Sequence, residues 1–198
     1  MKTFVLNGWA SSPEAWDLCL FERERIFTYT ELLDGVAEDA LEKEKEFILV
    51  GWSMGGSFAL RDAMKFPKKL KGLVLVAATP RMMRDNNWEG MTPRRLAALE
   101  EGLKMTKGEG FFGVPEGRPN PYKMDSDDNL ARGLEYLKST DLRLDLIDLL
   151  ASGQVRCPVY IFQSENDGIV RASNARFLST VFPHAELEMI PGGEHALP

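Results

Sequence analysis

Ser53 stands between two glycines in the pentapeptide Gly51-Trp52-Ser53-Met54-Gly55, a Gly-x-Ser-x-Gly pattern. The apolar run 47–50 before it predicts a strand, and the Ala/Met/Leu-rich run 54–66 after it predicts a helix. A sharp strand-to-helix turn strains the serine backbone and exposes the hydroxyl. We therefore predict that Ser53 is a nucleophile. The alternative is a glycine-rich turn with a spectator serine.

A serine hydroxyl needs a base at neutral pH, and the chain has only two histidines to supply one. His184 follows Pro183 in a predicted surface turn. His195 follows the last predicted strand, at the sheet edge where Ser53 is expected. We predict His195 as the base. The alternative is a histidine in a frayed tail.

A third group should orient the imidazole and stabilise its charge. Asp167 comes soon after a predicted strand and precedes Gly168, and the order Ser, Asp, His matches the order used with this serine turn. Glu165 and Glu194 are competing carboxylates. Glu165 lies only just past the strand, and Glu194 adjoins the base, so Asp167 is preferred.

Two main-chain N–H groups are candidates for binding a developing oxyanion. Met54 opens the helix behind the serine, where the N–H groups and the helix dipole favour negative charge. Trp9 lies in the loop after the first predicted strand, which usually supplies the second donor.

Short apolar runs alternate with helical patterns along the chain, which predicts an α/β fold with a mostly parallel sheet of about six strands flanked by helices. The predicted strands are 3–6, 25–29, 47–50, 73–77, 159–162 and 187–190. Helices are predicted from Ser12, over 54–66 and over 172–182.

Composition excludes several classes of protein. The 198 residues include 24 Lys and Arg against 30 Asp and Glu, a net charge of −6, which argues against nucleic-acid binding. No apolar run is long enough to span a membrane, and the first apolar stretch is too short for a signal peptide. Two cysteines exclude a disulfide framework and two histidines make a metal site improbable. We expect one cytoplasmic domain, a monomer without cofactor or metal.

The alternation of strands and helices breaks over 81–140. Helical stretches over 92–104 and 127–138 flank a segment, 108–121, that is rich in Gly and Pro. We predict an α/β core over 1–80 and 141–198 with a helical lid over 81–140, placed above the strand ends where ligands bind. The alternative is a surface excursion with no role.

With these residues the chain resembles the α/β-hydrolases, and within them the pimeloyl-[acyl-carrier protein] methyl ester esterases of biotin synthesis. The resemblance covers nearly the whole chain and is carried by Gly8-Trp9 with Trp16, by 51–56, by 73–80, by Trp88-Glu89-Gly90, by 134–143, and by 157–196. The serine turn is generic to the superfamily, whereas Trp52, the Trp-x-Gly and the Leu-Lys-x-x-Asp-Leu-Arg stretch are more specific.

The resemblance implies a Ser53, Asp167 and His195 triad that hydrolyses the methyl ester of pimeloyl-[acyl-carrier protein] through an acyl-enzyme, with Trp52 near the substrate. It also implies contacts from lid arginines to the acidic carrier. The lid carries 10 Lys and Arg and 10 Asp and Glu, so it is neutral on an acidic body. Arg94 and Arg95 are the first candidates for the carrier, and Phe111 and Phe112 are candidates for lining an acyl tunnel or anchoring the lid. Further arginine candidates are Arg81, Arg84, Arg118 and Arg132.

Three departures from the family limit what the resemblance implies about the substrate. Asn7 replaces the family's histidine before Gly8, an Asp-x-Pro-Gly-x-Gly segment is missing, and the family's final helix has no counterpart after His195. A general short-chain carboxylesterase or an acyl thioesterase is the alternative. A non-catalytic binding module on a hydrolase scaffold is a third reading.

Overall fold

Six parallel strands form one sheet in the computed structural model, which describes residues 1–106 and 125–195. The strand order is β2-β1-β3-β4-β5-β6. The strands are β1 (Lys2–Leu6), β2 (Arg25–Phe27), β3 (Phe47–Trp52), β4 (Leu70–Val76), β5 (Val159–Ser164) and β6 (Glu186–Ile190). Each lies at a predicted apolar run, so the predicted parallel α/β fold is confirmed.

The described ranges contain seven α-helices and a short 3-10 helix over Pro13–Trp16. They are α1 (Tyr29–Leu33), α2 (Val36–Lys43), α3 (Met54–Lys65), α4 (Pro93–Thr106), α5 (Asp127–Ser139), α6 (Arg143–Ser152) and α7 (Ala172–Val181). Helix α3 packs on β1, β3 and β4, and α7 packs on β5 and β6. None of the helices described here has the length and apolar character needed to cross a membrane.

Several strand ends differ from the prediction by one to three residues, and two of these differences have local reasons. Strand β2 stops at Phe27 because Thr28 caps α1: its side chain accepts from the Glu31 N–H, and the Glu31 carboxylate accepts from the Thr28 N–H. Strand β3 continues to Trp52 because Gly51 and Trp52 still pair with β4.

The segment 81–140 leaves and rejoins the sheet at one place. Arg81 forms an isolated antiparallel bridge with Asp141, and the Leu142 N–H donates to the Pro80 carbonyl at 3.0 Å. The Arg81 guanidinium also pairs with the Asp141 carboxylate at 2.7 Å. The division into a core and a lid stays a prediction, and these contacts are compatible with its two boundaries.

Asp62 of α3 is a fully buried carboxyl whose neutralisation is expected to stabilise the protein at neutral pH. Burial raises its pKa to about 6, although Arg61 opposes that rise. The folded chain therefore binds the proton more tightly than the unfolded chain, and stability falls as pH rises through 6. We expect Asp62→Asn to raise the free energy of unfolding by roughly 1–3 kcal/mol at pH 8, with the gain vanishing near pH 4.

Thermal unfolding of the two proteins between pH 4 and pH 8 measures this effect. Asp148→Asn is the matched control, because Asp148 is exposed on α6 and has no ion pair within the described ranges. A difference between Asp62→Asn and wild type that does not change with pH would contradict the assignment.

Candidate active site

Ser53 sits at the turn between β3 and α3 in a strained backbone conformation. Its φ is 55° and its ψ is −119°, a region that residues other than glycine rarely adopt. Ala10 and Ala77 are the other described non-glycine residues with positive φ, and both follow strand ends on the same sheet edge. The strain is held by main-chain hydrogen bonds, from the Ser53 N–H to the Val76 carbonyl and from the Gly56 N–H to the Ser53 carbonyl.

Close packing at two glycines brings the loop after β1 beside this serine. A Cβ at Gly55 would lie 2.0 Å from the Leu6 carbonyl oxygen, so the first turn of α3 rests directly on the end of β1. A Cβ at Gly8 would lie 3.3 Å from the Ser53 Cβ. Met54 follows Ser53 at the first turn of α3, where main-chain N–H groups lack helical partners. Trp9 follows Gly8 in the loop that the packing brings beside the serine, so both predicted oxyanion donors come from segments that adjoin Ser53.

His195 lies between Ser53 and Asp167. Its Nε2 is 2.8 Å from Ser53 Oγ, and its Nδ1 is 2.8 Å from Asp167 Oδ2. All three side chains are buried. The structure thus brings Ser53 together with two residues that lie more than a hundred positions later in the sequence. His184 is instead exposed, with Nε2 3.0 Å from the Cys157 carbonyl at the opposite end of β5.

Both oxygens of Asp167 are fully used. Oδ1 accepts from the N–H groups of Ile169 and Val170, at 2.7 and 2.9 Å, and Oδ2 also accepts from Gln163 Nε2 at 3.1 Å. Burial raises the pKa of this carboxyl, but the facing imidazole and these hydrogen bonds outweigh burial and hold the pKa below its usual value. Asp167 is therefore the carboxylate that faces His195, whereas Glu165 and Glu194 are exposed.

Gln163 and Ser164 are supports that sequence reasoning missed. Gln163 Nε2 donates to the Ser164 and Val170 carbonyls as well as to Asp167, which fixes the loop after β5. Ser164 Oγ donates to the Gly193 carbonyl, and Trp52 Nε1 donates to the His195 carbonyl at 3.2 Å. The segment that carries His195 is thus anchored to β3 and β5. The only sequence signal for these two supports is that the polar residues Gln163 and Ser164 directly follow the apolar run 159–162.

Asn7, at the position where the resemblance implies a histidine, fixes the loop after β1 through two hydrogen bonds. Its side-chain Oδ1 accepts from Trp16 Nε1 at 3.1 Å, and its N–H donates to the Phe27 carbonyl. Trp16 is a buried core aromatic. The Trp9 indole reaches α5, where Nε1 donates to the Leu130 carbonyl at 3.1 Å.

An apolar cavity opens beside the serine and the histidine. Its walls come from the loop after β1, from Trp52 and from the two helices of the segment 81–140. The lining residues are Gly8, Trp9, Trp52, Ser53, Met82, Leu96, Leu99, Leu137, Ile169 and His195. Trp52 lines the same cavity as Ser53 and His195, whereas Phe111 and Phe112 fall outside the described residues.

The predicted arginine candidates separate into two groups. Arg81 pairs with Asp141, and Arg132 pairs with Asp34. Arg84, Arg94 and Arg95 are exposed and have no ion pair with any residue in the described ranges, and Arg118 lies outside those ranges.

Residues 1–106 and 125–195 contain no cluster of three His, Cys, Asp or Glu side chains arranged to hold a metal.

The site combines a strained serine at a strand-to-helix turn with a histidine and a buried carboxylate on a parallel sheet. This combination is typical of serine hydrolases with an α/β fold. The chain belongs to the alpha/beta hydrolase family, whose model matches residues 5–198.

Curated relatives of this chain belong to one group within the family, and they confirm the narrower resemblance that the sequence motifs indicated. A pimeloyl-[acyl-carrier protein] methyl ester esterase from Yersinia enterocolitica is 25% identical over 226 residues, covering 97% of this chain and 85% of the relative. One of the same name from Nitrosomonas europaea is 28% identical over 231 residues, covering 97% and 87%. Among solved structures, an esterase from Exiguobacterium antarcticum superposes with a TM-score of 0.72 at 20% identity, covering 98% of this chain and 85% of that one.

Proposed function

We propose that this protein is a serine carboxylesterase that hydrolyses the methyl ester of pimeloyl-[acyl-carrier protein]. The observation that carries the proposal is the pair of 2.8 Å contacts that His195 makes with Ser53 and Asp167. The relatives' names supply the substrate. The alpha/beta hydrolase fold and the buried, oriented imidazole support hydrolysis over mere binding.

The chemistry follows from these contacts. His195 Nε2 takes the proton as Ser53 Oγ attacks the methyl ester carbonyl, and Asp167 stabilises the imidazolium. The N–H groups of Trp9 and Met54 bind the oxyanion. Collapse of the tetrahedral intermediate expels methanol, which receives the proton from His195, and leaves an acyl-enzyme. Water, deprotonated by the same imidazole, then releases the free carboxylate and restores Ser53.

The lining of the cavity beside Ser53 has the apolar character that a methylene chain needs, and its volume of about 20 Å³ has to widen when an acyl group enters. Leu96, Leu99 and Leu137 offer no hydrogen-bonding side chain, so they favour an aliphatic segment between the two carbonyl ends of the substrate. The pimeloyl chain carries a methyl ester at one end and the carrier thioester at the other. The identity of the attacked carbonyl therefore separates an esterase from a thioesterase.

The products of one reaction test this proposal. We expect methyl pimeloyl-[acyl-carrier protein] to release methanol and leave a carrier whose acyl chain ends in a carboxylate, visible as the loss of one CH2 in the mass of the intact carrier. Release of a free carrier thiol with monomethyl pimelate would instead assign a thioesterase. Complementation of a biotin-requiring strain that lacks this esterase, with wild type and with Ser53→Ala, checks the same proposal in cells.

A further inference from the structure

The indole of Trp9 links the loop after β1 to helix α5. Trp9 is buried, and its Nε1 donates to the Leu130 carbonyl at 3.1 Å. A Cβ on Gly133 would lie 2.3 Å from Trp9 Cδ1 and 2.7 Å from Nε1, so a side chain at this position would displace the ring or the helix. Glycine weakens the interior of a helix relative to alanine. The close approach of the indole accounts for a glycine in the middle of α5.

The loop that carries the Trp9 N–H has a strained backbone and is held from two sides. Ala10 has a φ of 55°, in the left-handed region that residues other than glycine rarely adopt. Such a conformation persists only where the surrounding structure holds it. Ser11 holds one side of the loop, since its N–H and its hydroxyl both donate to the Gly8 carbonyl, at 3.3 and 2.6 Å. The Trp9 indole, seated on α5, holds the other side.

Helix α5 is itself fastened to α1 and to α3. Tyr29, the first residue of α1, donates its hydroxyl proton to Asp125 Oδ2 at 2.7 Å, just before α5 begins. Tyr136 of α5 stacks on Phe58 of α3, with the two ring centroids 4.2 Å apart. The position of α5 is therefore fixed relative to the helix that begins directly after Ser53.

We propose that helix α5 positions the oxyanion-binding N–H of Trp9 through the Trp9 indole, an inference that rests on the proposed function. Gly133 and Leu130 are then positioning residues, because neither lines the cavity at Ser53 and both contact the indole. An N–H group stabilises an oxyanion best at about 2.7–3.1 Å from the oxygen of the transition state. A displaced indole would move that N–H and slow the chemical step more than it weakens substrate binding. A part of the predicted lid 81–140 thus serves the reaction itself.

Gly133→Ala tests the proposal with a p-nitrophenyl ester of a short fatty acid, whose hydrolysis needs the oxyanion-binding groups but no carrier protein. We expect kcat to fall about 30-fold and KM to change less than about threefold, because the added methyl group displaces the indole and not the substrate. An aliphatic trifluoromethyl ketone adds to a catalytic serine and forms a tetrahedral oxyanion. Its Ki should rise in parallel with the loss in kcat/KM.

Hydrogen exchange of the Trp9 indole proton reports the seating of the ring without catalysis. The Nε1 proton, assigned by its loss in Trp9→Phe, should exchange about tenfold faster in Gly133→Ala, because its bond to the Leu130 carbonyl is lost. Gly72→Ala is the matched control. A Cβ on Gly72, near the start of β4, would lie 3.4 Å from Ile48 in ordinary contact, so exchange, kcat and Ki should keep their wild-type values.

Trp9→Ala separates an effect on the indole from a general effect on α5. Without the ring, the methyl group of Gly133→Ala has nothing to displace, so the second substitution should lower kcat less than about twofold in the Trp9→Ala background. Additive losses would mean that the methyl group acts through the helix alone, and the proposal would be wrong. Where Gly133→Ala does not fold, Trp9→Phe decides: a ketone Ki that keeps its wild-type ratio to KM overturns the positioning role.

The carrier-linked substrate distinguishes this inference from the proposed function. Wild type that hydrolyses the p-nitrophenyl ester but leaves methyl pimeloyl-[acyl-carrier protein] intact overturns the proposed substrate, and the kcat, Ki and exchange measurements still decide the role of α5. Hydrolysis of both substrates by Gly133→Ala at wild-type rates, with an unchanged ketone Ki, overturns the role of α5 and leaves the proposed function standing.

Discussion

Replacing Ser53 by Ala is expected to lower kcat by about 10⁴–10⁶-fold. The substitution removes Oγ, the atom that contacts His195 and is proposed to attack the ester. Only Oγ is removed. The Ser53 Cβ stays, and the N–H and carbonyl of residue 53 keep their hydrogen bonds to Val76 and Gly56. The folded structure should therefore survive, which thermal unfolding of the variant would verify.

Ser57→Ala is the matched control for this variant. Ser57 lies one turn further along α3, is buried, and donates its hydroxyl proton to the Thr79 carbonyl at 2.6 Å. Its loss should cost about 1 kcal/mol of stability and leave kcat within a few-fold of wild type. A fluorophosphonate should label wild type and Ser57→Ala but not Ser53→Ala. A Ser53→Ala protein that retains hydrolysis within tenfold of wild type would exclude the serine mechanism.

The elements around Ser53 were predictable because the relevant signals are local. Each strand is a short apolar run bounded by turn residues, and the strand-turn-helix around Gly51 and Gly55 requires small residues at fixed spacing. The ends of β2 and β3 were not predicted correctly. The capping box of Thr28 and Glu31 ends β2 early, and the pairing of Gly51 and Trp52 with β4 extends β3.

Helix α6 had no clear sequence signal. Leu146 and Leu149 are buried, but Leu144 is 77% exposed and Ile147 is 46% exposed, so apolar residues do not mark one face of the helix.

Features of the site that depend on tertiary proximity also escaped prediction. Gln163 supports Asp167 only because β5 and the loop after it fold the amide back onto the carboxylate.

Asp167→Asn is expected to lower kcat by about 10⁴-fold without removing any side chain from the site. The reason lies in which donors face each carboxylate oxygen. Oδ1 accepts from two main-chain N–H groups, of Ile169 and Val170, so only the carbonyl oxygen of an asparagine suits that position. The asparagine NH2 group must then occupy the place of Oδ2, facing His195 Nδ1.

In that arrangement the amide donates to Nδ1, and the ring proton moves to Nε2. A protonated Nε2 cannot accept the proton of Ser53, so the base is held in the wrong tautomer. Gln163 cannot relieve the conflict by turning its amide, because its Nε2 also donates to the Ser164 and Val170 carbonyls. Two facing donors should cost about 1 kcal/mol of stability, far less than the loss in rate.

Glu194→Gln is the control for Asp167→Asn, since Glu194 is an exposed carboxylate adjoining the same histidine in sequence and should leave kcat unchanged. The double variant Ser53→Ala/Asp167→Asn adds a sharper requirement. Because Asp167 acts only through His195 on Ser53, the second substitution should cost little once Ser53 is gone. Additive losses in kcat would mean that Asp167 serves the reaction by another route, and the triad proposed for this chain would then be wrong.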